Sequence, residues 1–189
     1  METIRDGNAT RKSASIHALI ALGTNKPHEN LSGSALFEAA LRRLSTTCGI
    51  VIAKVSSVWA TPAWPDPTQP IYANAAAELQ CVDVELEQLA ETLFELERVF
   101  GRTRSSDRWA PRTLDLDIIA FGDFEGEDNG IIIPHPRARE RAFVLAPLAE
   151  IAPDWRAKPE DAPAATRWRQ LPGADEVQLI GPLNIAPKR

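Results

Sequence analysis

YANAAAELQCVDVELEQLAETLFELERVFGRTRSSDRWAPRTLDLDIIAF, residues 72–121, reads as a strand, a helix and a second strand in turn. Tyr72 to Cys81 is the first strand. From Asp83 to Phe100 the period changes. Leu86, Leu89, Leu93, Leu96 and Phe100 recur at three- and four-residue spacing and predict a helix with one apolar face. Asp83 is placed to cap its start and Gly101 to end it. A polar, arginine-rich loop, Arg102 to Thr113, leads into the second strand, Leu114 to Phe121.

Upstream the same grammar repeats. Ile16 to Leu22 is a short buried strand, ended by Gly23-Thr24-Asn25 and Pro27. Leu36, Phe37, Ala40, Leu41 and Leu44 give helical spacing over Ser34 to Leu44. Ile50 to Ala60 is β-branched and alternating, hence a strand, expected to pair with Tyr72 to Cys81. Pro62, Pro65, Pro67 and Pro70 lie between these two strands, with Trp64 among them; proline removes amide donors, so this stretch is a loop. The order β-α-β-β-α-β defines an α+β fold of the ferredoxin-like type, an antiparallel sheet with helices packed on it. Downstream come an acidic loop, Asp123 to Gly130, a short edge strand, Ile131 to Ile133, and a helix, Phe143 to Ile151. A proline-rich extension starts near Pro153, with short elements near Arg167 to Leu171 and Val177 to Ile180. The reading is a polar leader over residues 1–15 and one domain over 16–189.

The 189 residues carry 21 Lys and Arg against 26 Asp and Glu, a net charge of −5. That balance speaks against general nucleic-acid or membrane-surface binding, which needs a positive field. No apolar run approaches the roughly 18–20 residues of a membrane helix. Ala18 to Leu22 is too short for a signal-peptide core of about 7–15 residues. Cys48 and Cys81 lack metal-ligand spacing and read as two reduced, partly buried thiols of a cytoplasmic protein.

The chemistry concentrates in residues 101–119. Asp115 and Asp117 stand at i, i+2 on a strand, so both side chains point to one face, their Cα atoms about 6–7 Å apart at ~3.3 Å per residue. Leu114, Leu116 and Ile118 face the core. Paired carboxylates repel unless a cation or a proton intervenes. Oxygen ligands on a rigid strand suit Mg²⁺, which takes one or two carboxylates and leaves its other positions to water and substrate phosphates. An isolated pair of this kind is also compatible with a solvated strand face. The setting shifts the reading. Arg98, Arg102, Arg104, Arg108 and Arg112 crowd the same region against one acid, Asp107, and Arg137, Arg139 and Arg141 form a second cluster. Arginine forks bind phosphate oxygens in pairs. Carboxylates beside arginines are the equipment of phosphoryl transfer. The competing reading of the arginines is salt bridging to the acidic remainder of the chain. No glycine-rich phosphate cradle is present. His135 precedes the second arginine cluster and is a candidate phosphate donor. Tyr72 and Asn74 share a strand face, where an aromatic ring and an amide could read a flat heterocycle; by themselves they read more readily as ordinary strand residues.

At this point a resemblance is specific. Arg108-Trp109-Ala110-Pro111-Arg112-Thr113-Leu114-Asp115-Leu116-Asp117 closely resembles the signature of the 6-hydroxymethyl-7,8-dihydropterin pyrophosphokinase family of folate biosynthesis, with Ala110 where the family usually has glycine. Four further segments agree in order: Gly23-Thr24-Asn25, Val55-Ser56-Ser57, Tyr72 with Asn74-Ala75-Ala76, and Pro134-His135 followed by Arg141 and Phe143-Val144-Leu145. The likeness spans roughly residues 16–155. It implies Mg²⁺-dependent transfer of diphosphate from ATP to the pterin hydroxymethyl oxygen, leaving AMP. It also implies two Mg²⁺ held by Asp115 and Asp117, and phosphate contacts from Arg102 and Arg112, with Arg104, His135 and Arg141 around the nucleotide. Trp109 is implied in a closing loop. Tyr72 and Phe143 are implied as the aromatic pair around the pterin, Asn74 at its edge, and Thr61, Pro62 and Trp64 as loop contacts to it. Glu97 and Ile118 match positions near the ATP base and ribose. The family implies a monomer acting on small molecules, with no nucleic acid or membrane partner. A non-catalytic binding relative and a Mg²⁺-dependent nuclease or RNA-binding module on the same fold are the alternatives. The complete charged set disfavours the first, and the overall acidity the second.

Overall fold

The structure is a computed structural model that describes residues 15–63, 66, 68–102 and 111–185. The leader (residues 1–14 of it), Trp64, Arg104, Trp109 and Ala110 lie outside the described residues.

The central strand is β1, Ser15–Thr24. It pairs antiparallel along its whole length with β4, Tyr72–Val82, and on its other edge with β5, Asp115–Phe121. The strand expected over Ile50 to Ala60 is two: β2, Ile50–Val55, and β3, Val58–Thr61, both paired to β4. The break falls at Ser56, which is buried. Its hydroxyl accepts the Ala76 N–H at 2.8 Å and donates to the Ser57 carbonyl at 2.7 Å, replacing ladder bonds with side-chain ones. The sheet order β5-β1-β4-β3, with β2 also on β4, is the ferredoxin-like arrangement expected.

Two helices cover one face of the sheet. Helix α1, Gly33–Leu44, buries Leu36, Phe37, Ala40, Leu41 and Leu44, and α2, Leu86–Val99, buries Leu86, Leu89, Leu93 and Leu96. They pack on Ala18, Ile20, Leu22, Leu79, Leu116 and Ile118. The cap of α2 differs from expectation. Glu85 is the N-cap in a reciprocal box with Gln88, while Asp83 sits in the preceding turn at φ +53°. Gly101 ends the helix as expected, for two reasons: its φ is +75°, and a Cβ there would meet the His28 ring at 2.5 Å.

The opposite face is covered by α3, Ala142–Ile151, whose Val144, Leu145, Leu148 and Ile151 pack on Leu19, Ala76 and Ile119. The extension adds α4, Ala164–Arg167, to this layer. It then returns as β8, Gln178–Gly181, an antiparallel partner of β3. Residues 126–128, expected in an acidic loop, form β6 (Gly126–Asp128), which pairs with β7 (Ile131–Ile133) in a hairpin. Asn129-Gly130 at its tip, both at positive φ, is the turn signal that outweighs the acidic composition. Cys81 is buried, its thiol pushed up to about 11 by burial, whereas Cys48 is exposed rather than partly buried.

Candidate active site

Helix α3 covers only part of its face of the sheet. Where β1, β4 and β5 come together, a row runs across the sheet from Asp115 through Gly23 to Asn74, and the next row from Asp117 through Ala21 to Ala76. The middle residue of each row is small, so polar side chains on the flanking strands meet over a flat floor. A Cβ at Gly23 would lie 3.7 Å from the Asp115 Cβ and 3.8 Å from the Asn74 Oδ1. The predicted same-face placement of Asp115 and Asp117 is what the period of two dictates. Their side chains are 21% and 39% exposed, whereas Leu116 and Ile118 point into the α1/α2 core. Any contact from Ile118 to a ligand on the open face is therefore left to its backbone.

Charges converge here from three directions. Arg102, just past α2, reaches Asp115 at 2.6 Å and also pairs with Glu97. Arg112 reaches the other Asp115 oxygen at 2.7 Å. Arg141 and His135 approach Asp117 at 4.0 and 3.9 Å, beyond hydrogen-bond range. Partial burial, and then the neighbouring Asp115 charge, raise the Asp117 carboxyl above the usual carboxylate range. Burial, and then the Arg141 charge, push His135 below its ordinary value, against the pull of Asp117. His135 Nδ1 accepts the Arg137 N–H at 3.2 Å, so the neutral ring carries its proton on Nε2, the nitrogen facing Asp117.

Glu97 is 3% exposed. Burial pushes its carboxyl up to about 7, while the Leu116 N–H, donated at 2.7 Å, and Arg102 work in the opposite direction. Its carboxylate is engaged beneath the sheet edge, where it holds Arg102 and β5 in place.

The arginine clusters divide. Arg102, Arg112 and Arg141 are brought to the site. Arg98 instead pairs with Glu95 on the surface, and Arg139 with Asp161. For those two the salt-bridge reading holds. Tyr72 is half-buried, its hydroxyl raised by burial and within the fields of Arg112 and Asp115. Asn74 is 5% exposed and donates to Thr61 Oγ1 at 3.0 Å, which joins two of the predicted pterin contacts. Phe143, at the first turn of α3, is exposed and lies under the Arg141 guanidinium at 5.6 Å.

Asn25, read from sequence as a strand end and part of a shared segment but given no role at the site, is a residue that the geometry adds. Its Oδ1 accepts the Arg112 N–H at 2.9 Å, its N–H donates to the Arg112 carbonyl at 3.1 Å, and its Nδ2 donates to the Pro70 carbonyl at 3.3 Å. It ties the end of β1 to both loops that flank the site. The signal was its place in the Gly23-Thr24-Asn25 segment.

The donor set suits a hard cation: two carboxylates on one open strand face, one of them, among the described residues, approached by cations only at about 4 Å. A separate cleft of about 640 Å³ lies between Ile16, Leu86, Phe121 and Asp123; Glu85, Asp123 and Asp128 also line it, but none of the site arginines does.

Fold and site define a ferredoxin-like α+β protein equipped to handle phosphate. A family model for 7,8-dihydro-6-hydroxymethylpterin-pyrophosphokinase (HPPK) matches residues 19–153. The chain belongs to that family, and thus to the ATP-dependent diphosphotransferases of folate biosynthesis that act on 6-hydroxymethyl-7,8-dihydropterin. It is 41% identical over 140 residues to the 2-amino-4-hydroxy-6-hydroxymethyldihydropteridine pyrophosphokinase of Synechocystis, covering 73% of this chain and 67% of that one. It is 35% identical over 163 residues to the protein of that name from Bacillus subtilis, covering 84% and 94%. The fold is similar to that of wild-type Plasmodium falciparum HPPK-DHPS, with a TM-score of 0.62 at 12% identity over 85% of this chain. This chain spans 42% of that longer one. Among the described residues, no helix is long and apolar enough to cross a membrane.

Proposed function

We propose that the open face around Asp115, Gly23 and Asn74 is where this chain carries out Mg²⁺-dependent transfer of diphosphate from ATP to the pterin. The observation that carries the reading is the convergence of Arg102, Arg112, Arg141 and His135 on the Asp115–Asp117 pair. The pterin hydroxymethyl oxygen attacks the β-phosphorus, the bond from that phosphorus to the α,β-bridging oxygen breaks, and AMP leaves with that oxygen. The hydroxyl proton passes to water as the new P–O bond forms.

Asp115 and Asp117 would hold the two Mg²⁺ ions. When bound, Mg²⁺ neutralises phosphate charge and makes the attacking hydroxyl more acidic. Arg102 and Arg112 already share the Asp115 carboxylate. With phosphates present their forks have second acceptors, and Glu97 keeps Arg102 aimed at them. Arg141 and the His135 Nε2–H lie on the Asp117 side and donate to phosphate oxygens. Neutral His135 acts as a hydrogen-bond donor rather than as a general acid. Tyr72 and Phe143 sandwich the pterin, Asn74 and Thr61 read its edge, and Pro62 and Trp64 supply the loop beside it. The family resemblance implies Arg104 around the nucleotide and Trp109 in a loop that closes over the site. Positioning and charge neutralisation supply the catalysis, with no phosphoenzyme. The protein acts as a cytoplasmic monomer, its extension from residue 153 part of the one domain.

Titration of Mn²⁺ binding by electron paramagnetic resonance, with a non-hydrolysable ATP analogue present, tests the metal assignment. Two ions bind the wild type. Undiminished binding to Asp115→Asn and Asp117→Asn would overturn it.

A further inference from the structure

The family match ends at residue 153, yet the chain beyond it reaches the site. Asp161 is a buried carboxylate, 7% exposed, whose Oδ1 accepts Arg139 Nη2 at 2.7 Å. The loop bearing it is closed on itself. Arg156 donates to the Asp161 carbonyl, the Ala164 N–H to the Trp155 carbonyl at 2.9 Å, and the Ala165 N–H to the Pro153 carbonyl at 3.0 Å. Arg167 grips the same target from the main-chain side, its Nε donating to the Arg139 carbonyl at 3.4 Å.

Arg139 is the middle residue of a single helical turn, Ala138–Glu140. Ala138 is fully buried. Its N–H donates to the His135 carbonyl at 3.0 Å, and its own carbonyl accepts the Arg141 N–H at 3.3 Å. His135, Arg139 and Arg141 are thus parts of one hydrogen-bonded turn. Among the described residues, His135 and Arg141 are also the two side chains that approach Asp117 within 4.0 Å as ion-pair partners. Losing Arg139 would leave the buried Asp161 carboxylate without this partner, which favours the closed contact and the turn with it, although Arg139 itself is 30% exposed.

We propose that Asp161 is a positioning residue: through Arg139 it fixes the turn that presents His135 and Arg141 to the phosphates of ATP. The inference rests on the nucleotide reading of those two residues. Displacing the Arg141 guanidinium by an ångström weakens phosphate binding directly and reaches the pterin side only through its contact with Phe143.

The test uses the full chain. Asp161→Asn is expected to raise the KM for ATP, and the Kd of a non-hydrolysable ATP analogue, by about tenfold, as loss of supporting contacts commonly does. The pterin KM changes less than the ATP KM, and Asp161→Glu recovers part of the loss. A purely structural Asp161 lowers Tm but leaves both KM values of the folded variant at wild-type levels; that result overturns the proposal. Should Asp161→Asn not fold, Arg139→Lys keeps the charge, loses the fork and makes the same comparison. Failure of the functional reading shows separately, as a wild-type chain that makes no AMP, and the analogue Kd then still decides the positioning claim.

Discussion

Asp115 and Asp117 differ in their neighbours more than in their place on β5. Asp115 is shared by two arginines, whereas Asp117 faces a cation and a neutral imidazole at about 4 Å. Either carboxylate changed to its amide keeps its volume and loses its charge. The prediction for both variants is a fall in kcat of ~10³-fold or more with an unchanged circular dichroism spectrum. Retained AMP formation in either would remove it from the metal site. Glu97 gives a second prediction at this scale. Its folded-state value, about 7, lies above its ordinary 4.5, so the stability it contributes is complete below pH 4.5 and is lost as pH rises through 7. Between pH 5 and 8 the Tm of the wild type should therefore fall relative to that of Glu97→Gln. A difference between the two proteins that does not change with pH would contradict that account. The aspartate pair was legible because a strand's period of two settles its face without any tertiary information. Glu97 was not, because burial of a charge is decided by partners from another element, Leu116 and Arg102.

Among the elements, the end of β1 carries more than its length suggests. Asn25 satisfies the Arg112 N–H and reaches Pro70, so it sets the spacing of two loops across the site. Asn25→Ala removes the acceptor of the Arg112 N–H and the donor to the Pro70 carbonyl, at a cost of about 1–3 kcal/mol. The expected result is a lower urea midpoint together with raised KM values for both substrates. A variant with wild-type KM values would make Asn25 a structural clip only. The strands and helices of the βαββαβ core were readable because local periodicity and global packing agree there. The division of β2 from β3 was not, since the Ser56 bonds that break the ladder are made to Ala76, twenty residues away. Nor was the role of β8: four residues pair with β3 only because the chain returns past α3, and no local pattern encodes that return.

For the whole molecule, the site is an open region on an otherwise covered sheet. Both apolar clusters are complete without any ligand. The proposed Mg²⁺ is expected to serve the chemistry and not the fold. Treatment with EDTA should abolish turnover and leave Tm unchanged; a large drop in Tm would show a structural ion. The central claim concerns which phosphorus is attacked. Phosphorus NMR of a reaction containing ATP, Mg²⁺ and 6-hydroxymethyl-7,8-dihydropterin tests it most directly. The account predicts AMP and a pterin diphosphate ester in equal amounts, with neither formed when the pterin is omitted. Formation of ADP and a pterin monophosphate, or AMP released with free pyrophosphate independently of pterin, would contradict it.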